Sequence, residues 1–296
     1  MSSTLHPLAT LAQIERTPSR EDGIPQDLEE DLRAYGCKLV HQAGLLLRQY
    51  VFSFSVCKFL SVSENRKQVA VATAQILFHR FWFVTSMKQF GIGDIGMGAL
   101  YLASKLEECP IRMRDLINVY DLLLQRDAHT AKNPNTDFKY APMSYFGTTF
   151  YELKDALVVS EMQLLKRLGF NVHVVLPYGT LINYLRVLGL TSREDACTRA
   201  WGYLNDALQT PVYALYPVPT IAAAAILLTS RHLHIPLPSA WWELFDVVWD
   251  DVWSVCGWVM RLYRVRGDPS SSADRVLGMV GKGGVRRWLE ENGHGS

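Results

Sequence analysis

The residues Gly91-Ile-Gly-Asp-Ile-Gly96 spell GxGxxG. Such glycines cradle a pyrophosphate when a strand leads into them, a helix follows, and an acidic residue lies about 20 positions on within a βαβ unit. Here a helical segment ending in Phe81-Trp82-Phe83 comes before them, another helical segment follows, and no strand comes after it. The pattern therefore predicts a Gly-rich turn into a helix, with Asp94 near the N-cap, and no nucleotide cofactor. Metal chemistry fares no better. His232 and His234 are two residues apart, which on a helix points them to different faces. His41, His79 and His173 are isolated, and no HExxH pattern accompanies them. Cys37, Cys57, Cys109, Cys197 and Cys256 contain no CxxC pair. No metal centre, disulfide framework or catalytic constellation is expected, and the cysteine usage suits a reducing compartment.

Two charges stand out. Lys105 borders the apolar stripe Ile95, Ala99, Leu102, Leu106. Glu161 occupies a stripe that otherwise buries, Leu157, Glu161, Leu164, Leu168, at spacings of +4, +3, +4. A carboxylate in such a line must be paired, face a partner's polar groups, or reach to water from the edge. One reading is two edge residues solvated at the surface. The other is a polar latch within a protein–protein interface. The residues alone leave both open.

The elements that position these side chains read as helices. Asp27 to Arg48, Gln68 to Val84, Asp94 to Glu108, Met113 to Arg126 and Thr149 to Leu168 form a first block, its last helix stopped by Gly169. Asp127 to Gly147 is a polar loop. After a linker around Asn171–Leu176, a second block follows: Tyr178 to Leu188, Glu194 to Gln209, Thr220 to His232, Trp241 to Val248 and Asp250 to Arg264. The third helices share Ala-x-x-Leu-x-Ser-Lys/Arg, at Ala99–Lys105 and Ala225–Arg231, so an internal duplication is expected. Both are rich in small residues, which let neighbours approach closely; each block should wrap around its third helix. The domain reading is an N-terminal extension over 1–26, a first repeat over 27–170 carrying an insertion at 50–66, a second repeat over 171–266, and a C-terminal tail over 267–296. The insertion alternates Phe52, Phe54 and Val56 with serines, a strand-like pattern foreign to an all-α bundle.

Composition sets the outer limits. The 296 residues are 49% hydrophobic and 20% charged, enough to build a core. Lys and Arg number 30 against 29 Asp and Glu, so there is no electrostatic footprint for nucleic acid or an acidic membrane. No signal peptide and no bilayer-spanning apolar run is read, which suits a nuclear or cytosolic protein.

The sequence around the two charges, Leu102-Ala-Ser-Lys105-Leu-Glu-Glu108 and Ser160-Glu161-Met-Gln-Leu-Leu-Lys166-Arg-Leu-Gly-Phe170, resembles the cyclin family. The stretches "TPSREDG" from Thr17, "GCKLVHQAG" from Gly36, "QVAVATAQILFHRFW" from Gln68, "IRMRDLINV" from Ile111 and "GFNVHVVLP" from Gly169 resemble the L-type, transcriptional cyclins, over roughly residues 7–265. The resemblance implies an all-α fold of two tandem five-helix cyclin boxes. It also implies a nuclear, non-catalytic regulatory subunit that activates a cyclin-dependent Ser/Thr kinase in transcription by RNA polymerase II and in pre-mRNA splicing, with splicing or transcription factors as further partners. It assigns kinase binding to Lys105, Glu161, Glu108 and Leu102, and implies no cofactor, metal, membrane or direct nucleic-acid contact. The alternative reading is a cyclin-fold transcription-factor or scaffold module that binds nucleic acid or other proteins without a kinase.

Departures from the family pattern qualify the expectation. The first helix reads "DLRAYGCKLVHQAG" in place of the substrate-docking stretch of cell-cycle cyclins, and the chain ends without the Arg-Ser repeats of animal L-type cyclins. Neither cell-cycle-type substrate docking nor Arg-Ser-mediated recruitment is expected. Thr17-Pro18 is a minimal proline-directed phosphorylation site, though the same dipeptide is a common turn signal.

Overall fold

The structure is a computed structural model, and it describes residues 9–52, 62–133, 136–266 and 276–292. Among these the only regular elements are helices. The chain divides into two compact units, residues 12–172 with 270–296, and residues 1–11 with 173–269.

The first unit contains most of α1 (Leu11–Glu15), then α2 (Pro18–Glu21), α3 (Gln26–Phe52), α4 (Val62–Val84), α5 (Ile92–Leu106), α6 (Met113–Lys132) and α7 (Thr148–Arg167). α5 is its axis: eleven of its residues are buried, and α3, α4, α6 and α7 all pack on it. A helix built from Gly, Ala and Leu on nearly every side has no polar face to keep in water, so it is surrounded. α4 supplies the bulk of the core. Phe78, Phe81 and Trp82 are fully buried, with Trp82 edge-on to both phenylalanines at 5.9 and 5.0 Å between ring centroids.

α3 and α4 are longer than the apolar periodicity alone suggests. They take in both ends of the expected insertion; residues 53–61, with Phe54 and Val56, lie outside the described residues. α6 continues to Lys132, so the polar loop starts later than Asp127.

From Thr17 onward the polar lead is part of the core. The Thr17 hydroxyl caps α2, accepting from the Arg20 N–H at 3.3 Å and donating to the Glu29 carboxylate at 2.9 Å. Glu29 also pairs with Arg20 at 2.8 Å and Arg33 at 2.6 Å, and Thr17, Ser19, Ile24 and Glu29 are all buried. A buried carboxylate is tolerated because a hydroxyl and two guanidinium groups donate to it. In this state the Thr17-Pro18 dipeptide serves as a helix start, and its hydroxyl is closed to solvent.

The GxGxxG glycines are also structural. α5 begins at Ile92 with Gly91 as its N-cap. The Gly93 N–H donates to the Val280 carbonyl at 3.0 Å, and a Cβ on Gly93 would sit 3.0 Å from a Val280 methyl. A C-terminal segment thus docks on the start of α5. It buries Val276, Met279 and Val280 and continues into α13 (Gly284–Glu291), whose Val285 and Leu289 are also buried. Asp94, at the third position of α5, is partly buried near Lys282, and desolvation raises its pKa.

The second unit repeats the plan with α8 (Tyr178–Val187), α9 (Glu194–Ala207), the short α10 (Val212–Leu215), α11 (Val218–Leu233), a 3-10 turn over Trp241–Phe245, and α12 (Trp249–Arg266). Its axis is α11, buried through Ala222–Ala225 and packed on by α8, α9 and α12. The expected helix over Trp241–Val248 is only this 3-10 turn. Ala240 and Asp246 adopt left-handed φ of 53° and 52° on either side, which breaks the i→i−4 ladder. The two tandem boxes of five helices, with this turn standing for one of them, form an all-α fold.

Candidate interaction site

The meeting of α5 and α7 places the two unusual charges. At Gly98 a Cβ would fall 2.7 Å from the Ser160 Cβ and 3.0 Å from the Glu161 backbone nitrogen, so only glycine lets α7 lie this close. Ser160 is itself buried. Seven residues on, about two turns along α5, Lys105 reaches back toward its own N-terminal side, the direction helical side chains lean. Its ammonium lies 4.5 Å from the centre of the Tyr101 ring, one turn earlier, and forms an ion pair with Glu161. Lys105 keeps 43% of its side-chain surface in solvent and Glu161 keeps 14%. Glu161 thus sits at the margin between Leu157 and Leu164, both fully buried, and the open surface. An ion pair this exposed contributes about 1 kcal/mol or less to the chain's own stability.

The corner after α5 is tied by hydrogen bonds. The Cys109 N–H donates to the Ser104 carbonyl at 2.9 Å and the Glu108 N–H to the Lys105 carbonyl at 3.3 Å, the paired bonds of a Schellman cap. Glu108 takes the left-handed position, φ 54°, where glycine is usual. The Ser104 hydroxyl donates to the Tyr101 carbonyl at 2.7 Å, and Thr73 of α4 donates to Glu107 at 2.7 Å. The two adjacent glutamates are therefore different: Glu107 is tied to α4, while Glu108 is exposed.

Of the four expected site residues, Lys105 and Glu161 meet at the surface of the first unit, and Glu108, three residues beyond Lys105, is exposed. Leu102 is 4% exposed and lies in the core beneath that surface, so it supports α5 and offers little surface. An apolar surface that helical periodicity alone does not mark out lies beside the pair. Leu106, Tyr151, Val158 and Met162 are 40–54% exposed. Tyr151, Val158 and Met162 recur at +7 and +4, one helical face, and that spacing is visible in the sequence. Tyr101 and Gly98 could not be singled out, because their roles depend on which helix lies opposite.

The histidine pair does not converge. His232 shares a hydrogen bond with the Tyr203 hydroxyl at 3.3 Å, and His234 caps α11. Among the described residues no group of three or more His, Cys, Asp or Glu side chains is placed to hold a metal ion.

Comparison with known proteins identifies the architecture. Residues 55–173 match the cyclin N-terminal domain. The chain is 35% identical to Homo sapiens cyclin-L1 over 260 residues, 87% of this chain and 44% of that protein. It is also 35% identical to Danio rerio cyclin-L1 over 267 residues, 90% of this chain and 48% of that one. The chain thus spans about half the length of these relatives. A chain of the crystal structure of the yeast RNA Pol II CTD kinase CTDK-1 complex superimposes with a TM-score of 0.62 at 15% identity, covering 97% of this chain and 83% of that one. The chain belongs to the cyclin family and lies close to the L-type, transcriptional cyclins.

Proposed function

We propose that the chain is the non-catalytic regulatory subunit of a cyclin-dependent Ser/Thr kinase, acting in the nucleus in transcription and pre-mRNA splicing. The observation that carries this reading is the Lys105–Glu161 pair, held at the surface beside a strip of exposed apolar side chains. A preformed charge pair gives a partner fixed donors and acceptors to meet, and the strip supplies area to bury. The chain activates its kinase only as far as it binds the active arrangement better than the inactive one. Moving a kinase from about 1% to 99% active takes roughly 5.5 kcal/mol of differential affinity, within reach of an interface of about 2,000 Å² or more. Lys105, Glu161 and Glu108 set orientation in that interface. Their ion pair costs little to redirect, because it is worth little within the free chain.

The test is affinity purification of the chain with its kinase, followed by titration of variants. Glu161→Ala should weaken kinase binding by about 2–5 kcal/mol, about 30-fold or more, by stranding partner donors. The charge swap Lys105→Glu with Glu161→Lys restores the internal pair. It should stay weak if the pair meets the kinase. Recovery of full affinity by the swap would reduce the pair to an internal brace.

A further inference from the structure

The second unit carries a groove of about 660 Å³ between the end of α11, the loop over residues 234–240, the 3-10 turn and the start of α12. Trp241, 3% exposed, forms part of its floor. Trp242 and Trp249 line it with ring centroids 4.2 Å apart, and Trp253, half exposed, continues the row 5.9 Å beyond Trp249. Pro236 and Pro238 form part of the lining and are exposed. The backbone around the groove has an unusual conformation. Among the described residues, five non-glycine residues have positive φ, and three of them, His234, Ala240 and Asp246, fall in this short stretch. Such strain persists only where the surroundings hold it, and it gathers at binding sites.

The chemistry of the lining selects an occupant. Its ionisable side chains are Arg231 and His234, both able to carry positive charge, and no carboxylate lines it. Glu243, Asp246, Asp250 and Asp251 lie on the neighbouring turns outside the lining. Trp242 and Trp249 cover each other's inner faces, so what they present to the groove is their outer surface, against which proline rings pack well, and a polyproline II segment arrives already extended, with little ordering entropy left to lose. Trp and Arg are also the residue types that carry most binding energy at interfaces. A single-stranded nucleic acid would stack on the same indoles, but it needs a cationic track along its backbone, and here only Arg231 is permanently charged. We infer that this groove binds an extended, proline-containing acidic peptide segment of another protein. The inference concerns the second unit and stands apart from the kinase-binding reading.

Tryptophan fluorescence of the full chain tests it, on titration with a Pro-Pro-Glu repeat peptide, a Pro-Pro-Lys repeat peptide of equal length, and a short oligothymidylate. The Glu peptide should saturate the signal and bind about tenfold or more tighter than the Lys peptide. Arg231→Glu should reverse that preference, and Trp242→Ala should abolish saturation with the far-UV spectrum unchanged. Should Trp242→Ala unfold, Trp242→Phe, expected to bind several-fold more weakly, and Arg231→Glu decide the matter. Equal affinity for the two peptides, no saturation by either, an Arg231→Glu variant with unaltered preference, or tighter binding of the oligothymidylate would each overturn the inference.

Discussion

Gly98→Ala is the sharpest test of how the charge pair is positioned. The new Cβ would lie 2.7 Å from the Ser160 Cβ, where ordinary contact begins at 3.4 Å, so α5 and α7 must separate locally by about 0.7 Å. The second obstacle, the Glu161 backbone nitrogen at 3.0 Å, cannot rotate away as a side-chain tip could. Overpacking of this kind costs about 1–3 kcal/mol, while exchanging glycine for alanine in a helix returns about 1 kcal/mol. The balance is a loss of about 0–2 kcal/mol in stability of the first unit. Kinase affinity should fall further than that loss explains, because α7 carries Glu161. Thermal and urea unfolding followed by circular dichroism give the first quantity, and titration of the purified kinase gives the second. Ser160→Gly in the Gly98→Ala background removes the closest atom and should recover part of the stability, a coupling that a double-mutant cycle reads directly. A Gly98→Ala protein more stable than the parent, with kinase affinity intact, would refute the close approach and with it the account of how Lys105 and Glu161 meet.

Thr17→Val keeps the shape but removes both the cap of α2 and a hydrogen bond to buried Glu29, so it should cost about 1–2 kcal/mol in urea unfolding. Thr17→Asp sets a second carboxylate against Glu29 and should cost more, unless Arg20 and Arg33 re-pair with it; the order of the two variants in the same assay decides. Asp94 has its pKa raised above the usual aspartate value, first by desolvation, against the opposing pull of Lys282. A carboxyl with a raised folded pKa favours the folded state while protonated and loses that contribution as pH rises from its unfolded value through its folded one. Asp94→Asn, which mimics the protonated form, should therefore match the parent near pH 3 and become relatively more stable toward pH 7. A stability difference that does not change with pH would show that Asp94 is not desolvated by the C-terminal segment.

The cyclin-like plan was legible because it rests on local rules. Small residues along α5 and α11 allow close neighbours on every side, Gly169 ends α7, and the 3.6-residue period of leucines marks the buried faces. The oddness of Glu161 was also legible, since a carboxylate breaking a leucine stripe needs no partner to be noticed. Its environment was not, because a stripe tells which residues face inward but not what stands at the margin. The aromatic run Trp241–Phe245 has helical composition, yet its ends lie in left-handed backbone that only the surrounding packing sustains.

By itself the sequence determined most of the helices, the grouping of the main ones into two blocks, the family, and the pair of residues most worth testing. The tertiary structure alone decided that Lys105 and Glu161 touch, that Leu102 lies beneath the surface, that Thr17 is sealed against Glu29, and that the glycines at 91 and 93 receive the C-terminal segment. The physical reason is range. Helix propensity and periodicity act within a few residues, whereas each of these contacts joins positions from 12 to 191 residues apart or depends on such a packing. Their energies exist only once the core has closed.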